Sequence, residues 1–475
     1  WSMATFRGKL YVGTLNGLDG AQIWCSSSGE TDTWQKVYQA IPATNLGIRC
    51  LYADGDEALY AGTYNSFGAE ILKTVDGRRW MTVARGGMGN EGNNSIRCMV
   101  RFGNYLYAGT GNSYPPPSTI LSSQSSLINP LLMPERVAER MPERMAERVP
   151  ETRIYGAKLY RSKDGSRWEL VRTNPGFETT KVVDLENNTS VTNNILIGEL
   201  EVFHGQLYAF TWPKDATVQT EITQPQTVGR YSRNLLIDRA NRRPKPRIPM
   251  LGAQSAPGAF EVWRSDDGVN FEKVVGQDDA YGNGLGLCLH DPSGLDNDAV
   301  TSAIVYKDHL YLGTEHDYCK TAIWRTADGT QWEKVLDFFE LGELYNLYVW
   351  RMITFKDELY AGILNMGSVG VPGGTGAQVW VSPSGDAGSF YHVVHNGFDA
   401  ETFTSVDLLT YQTTGERIEI EGYKNYGVRT FGILNDTLFA GTATIPSMLV
   451  PRSDRQWMPA IAGRDIGCEV WKLAP

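Results

Sequence analysis

Apolar and polar residues alternate along this chain in short runs bounded by Gly, Asp and Asn, and helical periodicity is nearly absent. The run from Ile96 to Phe102 (IRCMVRF) is followed by YLYAGT, AKLYRS and RWELV, and a period of two with such punctuation predicts antiparallel strands, four to a unit. The unit repeats. LYVGT at Leu10 returns as LYAGT at Leu59 and Leu106, LYAFT at Leu207, LYLGT at Leu310, LYAGI at Leu359 and LFAGT at Leu438. A middle element returns as GAQIW at Gly20, GAEIL at Gly68, GAKLY at Gly156, GAFEVW at Gly258, TAIW at Thr321, GAQVW at Gly376 and GCEVW at Gly467. Four strands repeated at a spacing of about 40 to 50 residues are the mark of propeller blades. The expectation is an all-β, seven-bladed β-propeller of four-stranded antiparallel blades, a single domain over 1–475, with blades near 1–38, 47–84, 95–172, 195–275, 300–336, 349–394 and 427–473.

The stretches TVDGRRW (from Thr74), SKDGSRW (Ser162), SDDGVNF (Ser265) and TADGTQW (Thr326) place Asp76, Asp164, Asp267 and Asp328 before a glycine and an aromatic. They resemble the Asp-box turn of sialidase-type and sortilin-type propellers, one residue shorter than the common form, and SSSGETDTW (Ser26 to Trp34) and SPSGDAGSF (Ser382 to Phe390) are degenerate copies. The resemblance implies a structural turn: the carboxylate accepts backbone N–H groups, the glycine takes positive φ and the aromatic wedges against the neighbouring sheet.

Only six outermost strands match seven inner hairpins, at Trp34, Trp80, Trp168, Phe271, Trp332 and Phe390, so the last blade is expected to lack its outer strand. WSMATFRGKLYVG aligns with WRMITFKDELYAG from Trp350, which places Trp1 inside an inner strand, and residues upstream of Trp1 are expected to have supplied the missing strand. A mature or excised fragment would hide any targeting signal.

At 475 residues the chain can bury a large core. Its net charge of −10 argues against a general nucleic-acid binder, and no apolar run approaches a membrane span. The six cysteines show no C-x-x-C spacing; Cys50 and Cys98 take equivalent places in adjacent blades as buried thiols. Cys288 and Cys319 are the one pair that shared loops of a blade could join, and that bond would favour an oxidising, extracellular or periplasmic compartment. His290-Asp291 and His316-Asp317 match no metal-ligand spacing, and neither metal nor cofactor is expected.

Function on a repeat is sought where the units differ. All long insertions, 113–155, 212–257, 276–299, 396–426 and 443–466, fall on the face opposite the short A–B and C–D turns, where they wall a depression over the channel. Met133 to Glu151 (MPERVAERMPERMAERVPE) reads as a low-complexity expansion interrupted by Pro142 and Pro150, and Arg230 to Pro249 as a basic flap. At the starts of the inner strands, GIRCL, SIRCM, IGELEV, VTSAIV, VWRMI and GVRTF put Arg49, Arg97, Arg351 and Arg429 at related positions, with Glu199 in blade four and Thr301 or Ser302 in blade five. Tyr348, Tyr423 and Tyr426 crowd the same loops, as do Tyr281 and Tyr345.

Two alternatives stand. Loop carboxylates such as Glu91, Glu343, Asp399 and Glu421 pair with the arginines as anchors, or the arginines hold an anionic, phenolic or glycan ligand through their planar forks. A binding propeller, taking a small ligand, a protein domain or an upstream domain of the same chain on this face, is favoured over an enzyme because no nucleophile–base pair is legible. The sialidase resemblance implies glycoside hydrolysis, from which seven units and the lack of the family's amino-terminal arginine motif depart. The repeat is also similar to the propeller part of cyanobacterial enzymes that alkylate resorcinols or carboxylates with alkyl chlorides, of the cylindrocyclophane type, which implies a phenolate-orienting Arg–Tyr mouth; no residue is carried over from it.

Overall fold

The computed structural model describes residues 1–16, 19–40, 44–65, 67–112, 156–171, 177, 181–185, 188–215, 260–276, 285, 299–315, 321–365, 375–399, 402–406, 419–444 and 469–473. Insertions 113–155 and 443–466 fall almost wholly outside these residues, as do the basic stretch 230–249, Cys288, Cys319, His290 and His316.

The chain is a β-propeller built of antiparallel strands. In the first unit, Ser2–Phe6, Lys9–Gly13, Gln22–Ser26 and Gln35–Gln39 pair in sequence order. The pattern returns from inner strands Asn45–Asp54, Asn93–Phe102, Asn188–Phe203, Ala299–Tyr306, Asn346–Phe355 and Asn425–Leu434, giving seven units among the described residues. In the last unit the outermost described strand is Val470–Leu473, on Thr437–Thr444. Part of the insertion before it folds as a hairpin, Thr402–Val406 on Glu419–Tyr423, which the sequence pattern had not predicted.

The repeated motifs have packing reasons. The glycine of LYAGT lies where the next inner strand crosses: a Cβ on Gly62 would stand 2.6 Å from the Ile96 Cβ, and one on Gly13 2.5 Å from the Ile48 Cβ. Gly109, Gly313 and Gly362 meet Ile197, Val349 and Val428 in the same way. The tyrosine of the same motif is buried beneath the turn glycine of the following unit, Tyr11 under Gly77, Tyr60 under Gly165, Tyr107 under Gly268, Tyr208 under Gly329 and Tyr311 under Gly385. Phe439 lies likewise under Gly29 of the first unit, and Thr5 Oγ1 donates to the Ile433 carbonyl, so the ring closes on itself.

The acidic turns are closed by their own side chains. Asp76 Oδ1 accepts the N–H groups of Arg78 and Arg79, both at 2.8 Å, Gly77 N donates to Thr74 Oγ1, and Gly77 has φ +73. Asp164, Asp267 and Asp328 accept equivalent pairs. In the degenerate copies Ser26 and Ser382 close the turn through Thr33 and Ser389 hydroxyls instead. The aromatics that follow pack on the preceding unit, Trp80 edge-on to Tyr38 and Phe271 edge-on to Phe177.

Those N–H bonds hold Asp76, Asp164 and Asp328 down to about 2 and depress Asp267 as well. A depressed folded-state pKa contributes stability above the unfolded value of about 3.8 that is lost as pH falls toward about 2. Thermal melts are therefore expected to show a loss between pH 4 and 2 that shrinks in Asp76→Asn and Asp328→Asn; an unchanged slope would contradict this.

Candidate functional site

Each inner strand from the second unit on carries a bulge at the same level. Ile48 pairs with Thr63 and Cys50 with Gly62, leaving Arg49 outside the ladder, and Arg97, Gly198, Thr301, Trp350 and Arg429 are skipped in the same way. A skipped residue is freed from the alternation of faces, so its side chain can turn into the channel. The next residue, opposite the LYAGT glycine position, is Cys50, Cys98, Glu199, Ser302, Arg351 and Thr430. This corrects the register expected from sequence. Arg49, Arg97 and Arg429 are equivalent, whereas Arg351 and Glu199 stand one residue further along, with Trp350 in the arginine's place.

All five residues line one cavity of about 110 Å³ on the channel axis, with Trp1, Trp212, Trp350 and Thr301. The three tryptophans were not foreseen. Trp1 immediately precedes Ser2–Phe6 and Trp350 lies at the equivalent place within Asn346–Phe355, and Trp212 occupies the place after LYAFT where Glu315 follows LYLGT. Arg49 lies over the Trp1 ring at 4.6 Å; Arg429 lies over Trp350 at 4.4 Å and over Trp1 at 5.7 Å; Arg97 lies over Trp212 at 5.1 Å. Guanidiniums stacked on indoles keep their N–H edges for an in-plane acceptor.

Arg351 is treated differently. Its Nη1 donates to Glu199 Oε2 at 2.7 Å, from the sixth unit to the fourth. Among the described residues the other three arginines make no ion pair with a carboxylate. Burial, with Arg429 adding to it, lowers Arg97 to about 10, and burial lowers Arg429; the charge of Glu199 raises Arg351. Glu199 itself is raised by burial against the pull of Arg351, and Glu201 two residues on is pushed up to about 7 by burial and by Glu199. Burial also raises the thiol of Cys50 to about 12 and that of Cys98 far above its usual range, so both are neutral.

The anchor alternative is answered in part by other residues. Asn194, Asn346 and Asn425, at or near the starts of their inner strands, donate to Glu261, Gln378 and Glu469, which also accept the indole N–H of Trp263, Trp380 and Trp471. That is the role of the repeated Gln/Glu-x-Trp in GAQIW. Glu343 pairs with Gln378 and His395 rather than with an arginine, and the side chains of Asp399 and Glu421 lie outside the described residues. Of the tyrosines, Tyr348 and Tyr426 flank Trp350 at 5.8 and 5.7 Å and stand near Arg429. The Tyr423 Cβ lies beside Gly376, in a contact that the glycine permits. No group of metal-ligating side chains occurs among the described residues.

No family model matches the chain, and no curated protein does. Solved structures do. It is similar to the Trypanosoma rangeli sialidase in complex with the inhibitor DANA, at TM-score 0.41 and 11% identity over 93% of this chain and 58% of that one. A PL25 ulvan lyase bound to its saccharide matches at TM-score 0.42 and 8% identity over 93% of this chain and 88% of that one. The exo-β-1,3-galactanase of Clostridium thermocellum matches at TM-score 0.31 and 11% identity over 79% and 57%. This chain thus spans under two thirds of the sialidase's length, and at these scores what each enzyme acts on is a property of that enzyme alone. No described helix is long and apolar enough to cross a membrane.

Proposed function

We propose that the chain is a ligand-binding propeller that holds a small anionic ligand in the Arg–Trp cavity at its channel mouth. One observation carries the reading: Arg49, Arg97 and Arg429 converge on one cavity without an ion pair to a carboxylate among the described residues, while Glu199, the one carboxylate among the described lining residues, is engaged by Arg351. Convergent guanidiniums repel in a partly desolvated site, and an oxyanion offering in-plane acceptors relieves that repulsion. Asn–Gln/Glu pairs hold strand starts beside the mouth, which supports a role for the arginines other than holding those starts. Titration with sodium malonate at constant ionic strength, followed by tryptophan fluorescence, is expected to saturate in the wild type and to lose that saturation in Arg97→Ala. A flat titration of the wild type would contradict the proposal.

A second reading, an enzyme at the same mouth, draws on Glu201. A carboxyl held near 7 beside the cavity is suited to proton transfer at neutral pH, whereas the protonated Cys50 and Cys98 are not nucleophiles there. Alkylation of a resorcinol or carboxylate by an alkyl chloride and, less favoured, glycoside hydrolysis are its forms. Mass analysis after incubation with resorcinol and an alkyl chloride tests the first: alkylated product would place this reading above binding alone, and its absence retires that form.

A further inference from the structure

The charges around the cavity do not balance. Four guanidiniums, Arg49, Arg97, Arg351 and Arg429, line it, and among the described residues the only lining carboxylate is Glu199. Glu315, buried at 5% exposure, lies behind the wall and acts electrostatically on both Arg97 and Arg429. Among the described residues, four guanidiniums less Glu199 and Glu315 leave two positive charges over. Glu201, whose charge acts on Glu199 and Arg351, sits on the Glu199 side of the channel, and both lining thiols are neutral, so neither offsets the surplus on the Arg97 and Arg429 side. The indoles of Trp1, Trp212 and Trp350 cover the guanidinium faces, which limits access by water and leaves the N–H edges as the groups that meet a ligand.

We infer that the ligand, on the reading of this cavity as an anion site, is a small dianion, two acceptor groups or one tetrahedral oxyanion, bridging the Arg97 and Arg429 sides of the channel. A monoanion leaves one half-buried guanidinium charge unmatched, whereas a dianion cancels the surplus. Size agrees, since about 110 Å³ is below the roughly 150 Å³ cavity known to admit a benzene molecule.

Calorimetric titration of the whole chain at pH 7.5 and fixed ionic strength with acetate, malonate and sulfate tests this. Malonate or sulfate is expected to bind at least about tenfold more tightly than acetate, and whichever of the two is tighter tells a dicarboxylate site from a tetrahedral-oxyanion site. Glu199→Gln, checked for folding by its melting curve, enlarges the surplus and is expected to tighten malonate more than acetate. Acetate binding as tightly as both dianions, or no preferential gain in Glu199→Gln, would overturn the dianion inference while sparing the anion reading. Failure of all three anions to bind would overturn both.

Discussion

Arg429→Ala is expected to weaken malonate binding by about 1.5 to 3 kcal/mol, roughly ten- to 150-fold, the scale of a hydrogen bond to a charged group. The fold should survive, because Arg429 makes no ion pair among the described residues. Arg429→Lys should recover only part of the affinity. Its ammonium keeps the charge, but the planar fork held over Trp350 at 4.4 Å and Trp1 at 5.7 Å is gone. Melting temperature and affinity measured on both variants check this: a large drop in stability with affinity intact would mean that Arg429 is an anchor.

Gly62→Val is expected to cost about 3 kcal/mol or more of stability, the upper range for overpacking. A Cβ there would stand 2.6 Å from the Ile96 Cβ and 2.9 Å from the Ile96 carbonyl oxygen, and the carbonyl belongs to a hydrogen-bonded inner strand that cannot move alone. Gly55→Asn is the contrast. Gly55 has φ +54 with open space around it, and Asn tolerates that conformation, so denaturant midpoints should separate the two variants widely. Equal midpoints would mean that the units are less tightly fitted than these distances imply.

The repeat made the architecture legible, because each LYAGT glycine and tyrosine is fixed by a contact that recurs from unit to unit. The site was legible only in outline. The inner-strand motifs place Arg351 level with Arg49, Arg97 and Arg429, but the bulge skips Trp350 and sets Arg351 in the ladder opposite Gly362. A bulge inverts the phase of a period-two pattern, but in strands this short the inversion cannot be told from ordinary irregularity in the alternation. The tryptophans were missed for a related reason: Trp212 comes from a second strand rather than an inner one, and it reaches the arginines only because LYAFT ends where the channel opens.

The most direct measurement is a crystal structure of the chain soaked in selenate, a dianion whose selenium can be located by its anomalous signal. The predicted result is a peak inside the channel cavity within hydrogen-bonding reach of Arg97 and Arg429. Selenate bound only at the outer surface, with the cavity holding none, would contradict the assignment of this mouth as an anion site.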